Sequence, residues 1–180
     1  MAVALFIDKA CLDIAFRSVD DREIYYPALR SYLEAQESDR VVEAYAFDAT
    51  PEGGWNFCHR KLAQAGISPK VYRMGYESFT DGSGNLLQRR VQKGVDVGLA
   101  LQLIKSYELR RWDRLVLAAT DADFAEPIQR LHDEHGVLVS FLVLPNKLSH
   151  ALRPYVDRWY DLSLIGNHIT RPVYFERTAC

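Results

Sequence analysis

The chain has 180 residues, of which 48% are hydrophobic, and a formal net charge of −2 at pH 7. The length and composition fit one globular domain, and the charge makes no case for a domain that binds nucleic acid over its whole surface. No apolar run reaches the roughly 18 residues of a membrane-spanning helix, and the first residues lack the basic leader and cleavage site of an export signal. We therefore expect a cytoplasmic protein with no membrane partner.

Apolar strand-like runs alternate with longer amphipathic segments, a pattern that predicts an α/β fold with helices on both faces of a mostly parallel sheet. The predicted elements of the first half are strand 2–7, helix 26–36, strand 41–47, helix 54–65 and strand 69–73. The predicted elements of the second half are helix 95–109, strand 113–119, helix 123–135, strand 137–144, a short helix near 148–153 and a strand near 158–162. Strand 2–7 is apolar throughout, so we expect it to be central and buried on both faces.

Residues 75–92 interrupt the alternation, and the turn-forming stretch Asp81-Gly82-Ser83-Gly84-Asn85 predicts a hairpin or a mobile loop. In the helix 95–109, Val97, Ala100, Leu101 and Ile104 have the spacing of one buried face. We expect one domain over 1–165, followed by a loosely attached tail over 166–180.

Four aspartates lie where parallel α/β folds keep their binding crevice, at the carboxyl ends of strands. Asp8 follows the first strand, Asp121 and Asp123 follow strand 113–119, and Asp96 opens the helix 95–109. If the first strand and strand 113–119 are neighbours, Asp8 and Asp121 approach each other, and Asp96 and Asp123 could complete a ring.

Such a ring repels itself, since two like charges about 4 Å apart cost roughly 4 kcal/mol at an effective dielectric near 20. A divalent cation relieves the repulsion while all the oxygens stay charged. Hard oxygen ligands without a Cys or His pair favour Mg²⁺ or Mn²⁺ over zinc. The chemistry that such a site favours is phosphodiester hydrolysis, in which the metal activates a water and clamps the phosphate.

Each aspartate also has a purely structural interpretation. Asp123 and Glu126 have the spacing of a helix capping box, and Asp96 could simply favour a helix N-terminus. Asp8 and Asp121 are harder to explain in this way, because a charge directly after a buried strand must reach solvent or a partner.

At these residues the sequence resembles the NYN branch of the PIN-like nucleases, the LabA-like proteins in particular. The matching stretches are Phe6-Ile7-Asp8-Lys9-Ala10-Cys11, Gln92-Lys93-Gly94-Val95-Asp96-Val97 and Ala119-Thr120-Asp121-Ala122-Asp123-Phe124. The resemblance covers about residues 3–163. It implies a flavodoxin-like three-layer α/β/α sandwich, and a Mg²⁺- or Mn²⁺-dependent ribonuclease whose catalytic and metal-binding residues are Asp8, Asp96, Asp121 and Asp123.

Residues around the aspartates are candidates for binding the substrate. Basic and hydroxyl side chains that could contact single-stranded RNA are Lys9, Arg89, Arg90, Lys93 and Thr120. Tyr76 and Phe79 could stack on bases. The alternative interpretation of the arginines is a solvated charge run beside a loop.

Two positions depart from the family pattern and support an alternative function. Lys9 stands where the family has Gly, and Cys11 stands where it has Asn. Lys9 could compete with a metal for the carboxylates, and Cys is a weaker hydrogen-bonding partner than Asn. The alternative is a catalytically weakened RNA-binding or regulatory protein on the same fold. In either case RNA is the expected partner, and apolar side chains in 75–92 or in the tail could support a homodimer.

Overall fold

A computed structural model describes residues 2–16 and 22–172. In chain order the strands and helices are β1 (Val3–Asp8), α1 (Lys9–Phe16), β2 (Arg22–Ile24), α2 (Tyr26–Glu37), β3 (Val41–Thr50), α3 (Phe57–Gln64), β4 (Ser68–Arg73), β5 (Gly75–Thr80), β6 (Leu86–Val91), α4 (Val95–Arg110), β7 (Arg114–Ala118), α5 (Ala125–Gln129), β8 (Leu138–Val143), β9 (Arg158–Asp161), α6 (Leu162–Ile169) and β10 (Thr170–Pro172). Short 3₁₀ turns occupy Ala122–Phe124, Pro145–Lys147 and Arg153–Tyr155, and α5 continues as a π-helical turn over Arg130–Glu134.

Six strands form one sheet in the order β4-β3-β1-β7-β8-β9, and every neighbouring pair is parallel. β1 lies inside this sheet, between β3 and β7, and the side chains of Val3 to Ile7 are fully buried. The predicted central strand and the adjacency of β1 and β7 are therefore confirmed.

Helices cover both faces of the sheet, which confirms the α/β/α sandwich. On one face α4 and α5 pack through Leu99, Leu103 and Ile128 against alternate residues of the strands. On the other face α1, α2, α3 and α6 pack against the intervening residues. Because side chains of a strand alternate between faces, each buried apolar residue of the sheet belongs to one core or the other.

The ends of α3 and α4 have local causes. Asn56 caps α3 by accepting from the backbone N–H of Cys58 and His59, which is why the helix begins at Phe57 and not at 54. Gly94 precedes α4 with φ of 78°, in the left-handed region that glycine enters without strain. The predicted hairpin at 75–92 is confirmed as the antiparallel pair β5–β6.

The structure differs from the sequence prediction at the chain's end. The tail predicted from residue 166 begins inside α6, where Ile169 is fully buried, and β10 pairs antiparallel with β2. Residues 166–172 are therefore part of the packed domain, because α6 carries an apolar face that closes the core over α2. The rest of the predicted tail lies outside the described residues.

Two further expectations were wrong. In α4 the buried residues include Val95, Leu99 and Leu103, whereas Val97 and Leu101 are 64% and 67% exposed. The predicted helix is present, but apolar residues occur on all its sides, so their spacing did not identify the buried face. No α-helix forms at 148–153, where one 3₁₀ turn ends at Lys147 and another begins at Arg153.

Within residues 2–16 and 22–172, no helix combines the length and the apolar character required to cross a membrane.

Candidate active site

The sheet brings three chain segments to its carboxyl edge. In the parallel register, Asp8 at the end of β1 lies beside Phe47 of β3, and Ile7 lies beside Ala118 at the end of β7. Asp8, Asp48 and the loop that begins at Ala119 therefore share one edge. Ligand sites of parallel α/β sheets form at this edge.

Asp8 is the last residue of β1 and directly precedes α1. Its carboxylate accepts a hydrogen bond from the backbone N–H of Ala10 at 3.0 Å, as an N-cap residue does. Burial raises the pKa of this carboxyl group to about 6, and the negative charge of Asp96 adds to the rise. The backbone N–H groups of Ala10 and Cys11 oppose it. The helix N-terminus therefore favours the charged form of Asp8, whereas burial and the neighbouring acidic charge favour the neutral form.

Asp96 lies in the first turn of α4. Burial raises the pKa of its carboxyl group, and the charges of Asp121 and Asp123 raise it further. Asp96 therefore interacts electrostatically with both Asp8 and the loop after β7. Asp96 therefore connects Asp8 electrostatically with the Asp121–Asp123 turn.

Asp121 and Asp123 occupy the turn that follows β7. Asp121 caps the 3₁₀ turn, because its Oδ1 accepts from the backbone N–H of Asp123 at 3.0 Å. The capping-box interpretation of Asp123, which the sequence left open, is therefore not supported, because the side chain that caps this turn is that of Asp121. α5 begins after Phe124, and no side chain caps it.

The charge of Asp96 thus acts on Asp8, and the charges of Asp121 and Asp123 act on Asp96, so the four aspartates are linked electrostatically through Asp96. In the described part of the chain, however, no three His, Cys, Asp or Glu side chains stand close enough together to form a finished metal site. The donor set is entirely carboxylate and suits a hard cation such as Mg²⁺. The electrostatic repulsion is the observation that a cation would relieve.

A pair of residues on the other side of Asp8 was not among the predicted site residues. The Oδ2 of Asp48 is 2.9 Å from the Nε2 of His59, and His59 is fully buried. The Nδ1 of His59 accepts from the backbone N–H of Asn56 at 2.9 Å, so its Nε2 carries the proton and donates to Asp48. The position of Asp48 at the end of β3 was visible in the sequence, but its buried partner lies 11 residues away and has no motif.

Lys9 does not occupy the position that we expected. It is 3% exposed, and its Nζ is 2.6 Å from the carboxylate of Asp13, one turn further along α1. This contact engages the ammonium group within the helix, which does not support a role for Lys9 in binding substrate phosphate. It also gives no support to Lys9 as a competitor for a metal.

Cys11 is a free thiol on the first turn of α1. Burial raises the pKa of this thiol to about 12, and the charge of Asp8 acts in the same direction. A thiol with so high a pKa stays protonated at neutral pH and is a poor nucleophile or metal ligand.

The remaining predicted substrate contacts are spread over two segments. Arg89 and Arg90 are exposed on β6, and Lys93 follows the hairpin with its side chain over Gly75. Thr120 is partly buried beside Asp121, and its backbone carbonyl accepts from the N–H of Ser149 at 3.0 Å. Both segments start from the carboxyl edge that carries the aspartates.

Comparison with known families gives a match over nearly the whole chain. The family described as NYN domain matches residues 2–163. NYN domains are PIN-like nucleases, so the match supports a nuclease at the level of the family. Among curated proteins, none matches this chain.

A solved structure supports the fold independently. It is described as a protein of unknown function, VPA0982, from Vibrio parahaemolyticus RIMD 2210633. The two chains are 20% identical, with a TM-score of 0.64, and the similarity covers 89% of this chain and 92% of that one. At this identity the likeness shows a shared fold and nothing about activity.

Proposed function

The chain belongs to the NYN domain family, and from this premise we propose that it is a Mg²⁺- or Mn²⁺-dependent ribonuclease that hydrolyses phosphodiester bonds of single-stranded RNA. The proposal depends on one observation above all. The charge of Asp96 raises the pKa of Asp8, and the charges of Asp121 and Asp123 raise the pKa of Asp96, so carboxylates from three separate segments interact at the carboxyl edge of the sheet.

Mutual repulsion of this kind costs stability, and a folded protein keeps it where it serves a site. A shared proton could relieve it, but at neutral pH the pKa of Asp8, at about 6, leaves that carboxyl group mostly ionised. A bound divalent cation relieves it for every carboxylate at once.

Each residue has a role in this proposal. Asp8, Asp96, Asp121 and Asp123 would hold the cation, which supplies an activated water and charge stabilisation at the phosphate. The backbone N–H of Ala10 orients the carboxylate of Asp8 through its hydrogen bond. The turn at Ala122–Phe124, which Asp121 caps, fixes the spacing of Asp121 and Asp123.

The decisive experiment compares the purified protein with Asp121→Asn on a labelled single-stranded RNA of mixed sequence, with Mn²⁺ and with chelator. We expect cleavage by the wild type in Mn²⁺ only. We expect a loss of at least about 100-fold in the variant, since removal of one charged group that acts on the transition state typically costs that much. Equal cleavage by both proteins would identify a contaminating nuclease and refute the proposal.

A second measurement separates the enzyme from a catalytically weakened RNA-binding protein. Thermal melting is followed while Mg²⁺ or Mn²⁺ is titrated, because a ligand that binds only the folded state raises the melting temperature. We expect a rise for the wild type and a smaller one for Asp96→Asn. RNA binding without any metal-dependent stabilisation or cleavage would favour the alternative function.

A further inference from the structure

The hairpin β5–β6 leaves the body of the protein at the acidic edge. It connects the carboxyl end of β4 to the N-terminus of α4, whose second residue is Asp96. At its base, the side chain of Lys93 lies directly over Gly75, where a Cβ would be 2.7 Å from the lysine Cδ. The hairpin is therefore anchored within a few residues of the proposed metal ligands.

Both faces of this hairpin are exposed, because every residue from Tyr76 to Thr80 and from Leu86 to Arg90 is solvent-accessible. An isolated two-stranded hairpin is marginally stable, so its internal contacts must hold it together. Hydrogen bonds stabilise the turn that joins the two strands. The carboxylate of Asp81 accepts from the backbone N–H of Ser83 and of Asn85, each at 2.9 Å, and Gly84 has φ of 85°.

The cross-strand register divides the hairpin residues into two faces. Residues that oppose each other on an antiparallel pair point to the same face. The first face carries the pairs Glu77–Arg89 and Phe79–Leu87, and the second face carries the pairs Tyr76–Arg90, Ser78–Gln88 and Thr80–Leu86.

On the first face, the two charged side chains pair with each other. The guanidinium of Arg89 donates twice to the carboxylate of Glu77, at 2.9 and 2.7 Å, and lies 5.7 Å from the ring centroid of Phe79. The charge of Arg89 is therefore neutralised within the hairpin. Because this ion pair is exposed, it adds little to the stability of the hairpin.

The second face carries one charge, and that charge is not compensated. Among the described residues, Arg90 has no ion pair or hydrogen bond. It stands directly opposite Tyr76, whose side chain is 59% exposed, and both lie at the base of the hairpin. Ser78 and Gln88 continue the same face with polar groups.

We propose that this second face is the surface that binds single-stranded RNA beside the acidic edge, with Arg90 contacting a phosphate and Tyr76 stacking on a base. The inference rests on the proposed function and refines it, since it assigns the two adjacent arginines to different tasks. An aromatic ring next to a guanidinium is the pair that single-stranded RNA uses, the ring for a base and the charge for the backbone. The free positive charge also complements a polyanion that the carboxylates alone would repel.

The two arginines provide a matched control, because Arg89→Ala and Arg90→Ala remove the same charge from adjacent positions. Binding of a fluorescently labelled mixed-sequence RNA is measured by anisotropy in chelator, so that no cleavage occurs. We expect Arg90→Ala and Tyr76→Ala each to weaken binding by about tenfold, the order of one stacked base or one charged contact. Arg89→Ala should weaken it by less than about threefold, since its charge is already neutralised.

The salt dependence gives a readout that a merely structural role would not change. Loss of one phosphate contact should reduce the slope of log K against log salt by about 0.7 for Arg90→Ala. The slope of Arg89→Ala should equal that of the wild type. Melting curves of all the variants should coincide with that of the wild type.

Several outcomes would overturn the inference. Equal weakening of RNA binding by Arg89→Ala and Arg90→Ala would show that only the net charge of the hairpin matters. If the wild-type protein bound no RNA, RNA would not be the ligand of this face. Sedimentation that shows a dimer disrupted by Tyr76→Ala, with unchanged RNA binding, would assign the face to a second copy of the chain. RNA binding with the expected pattern but no Mn²⁺-dependent cleavage would leave this inference standing and refute the proposed function.

Discussion

Asp8 shows how one side chain can be assigned both a structural and a chemical role. Its carboxylate caps α1 through the N–H of Ala10, an arrangement that favours the charged form. Burial and the neighbouring charge of Asp96 favour the neutral form and prevail, which raises the pKa to about 6. The cap explains why the residue is tolerated at the end of a buried strand, but it does not explain the neighbouring acids.

This balance predicts how stability depends on pH. The pKa of Asp8 is about 6 in the folded protein and 3.8 for an unperturbed carboxyl group, so the folded state holds the proton more tightly. Its contribution to stability is complete below pH 3.8 and is lost as the pH rises through 6. Asp8→Asn removes that loss and keeps a capping side chain.

In chelator we therefore expect Asp8→Asn to raise the melting temperature by a few degrees at about pH 8 and by less at about pH 5. Asp81→Asn serves as the control, because hydrogen bonds, first that from the N–H of Asn85, hold the pKa of Asp81 below its usual value. It should give no gain at the higher pH. A gain for Asp8→Asn that does not change with pH would contradict the assignment.

Among the helices, α4 is placed by a close approach to β4. Gly98 faces the ring of Tyr72, and a Cβ at this position would overlap the tyrosine hydroxyl. A larger residue would push the first turn of α4, and with it Asp96, away from the sheet edge. The glycine is thus required by packing, although its helical backbone would suit alanine.

We predict that Gly98→Ala destabilises the protein by about 1–3 kcal/mol, the usual cost of overpacking, despite the better helix propensity of alanine. Urea denaturation measures the loss. Metal-induced stabilisation should fall as well, because Asp96 lies two residues before the substitution.

Gly82→Ala is the matched control for this prediction, since nothing lies within 4 Å of a Cβ there. Its stability should stay within about 0.5 kcal/mol of the wild type. If Gly98→Ala behaved in the same way, the contact with Tyr72 would not position the helix.

Across the whole molecule, charged groups concentrate at both edges of the sheet but are organised differently. At the carboxyl edge the charge of Asp96 is opposed by those of Asp8, Asp121 and Asp123. Toward the amino ends of the strands, Glu37 is 4% exposed and is satisfied by several donors. Its carboxylate accepts from Ser140 at 3.1 Å, from Arg114 at 3.1 Å and from the hydroxyl of Tyr160.

The contrast predicts that the amino edge supports stability and the carboxyl edge supports function. Glu37→Ala removes a buried carboxylate that accepts from Ser140, Arg114 and Tyr160, and we expect a loss of about 3 kcal/mol or more in urea denaturation. Stabilisation by Mn²⁺ should persist. Glu134→Ala, which breaks an exposed pair with Arg130, should cost less than about 1 kcal/mol. Equal losses for the two variants would show that Glu37 has no special role.

Much of the architecture followed from the sequence alone. The order of strands and helices, the central position of β1, the hairpin at 75–92 and the α/β/α class could be predicted because apolar periodicity and turn residues are local signals. The family was recognisable for a related reason, since its three aspartate motifs are short and contiguous. That Asp8, Asp96 and the Asp121–Asp123 turn interact followed from the rule that parallel strands end at one edge.

Other features were decided only by the tertiary structure, because they depend on residues that are distant in sequence. α1, α6 and the pair β2–β10 were missed, and α4 turned a different face to the core than its spacing indicated. The buried contact of His59 with Asp48 carries no sequence signal, whereas the pairing of Lys9 with Asp13 and the separate faces of Arg89 and Arg90 are local but can be assigned only once α1 and the strands of the hairpin are known. The sequence determines which side chains can form a site, whereas packing and strand register determine which of them are free to act.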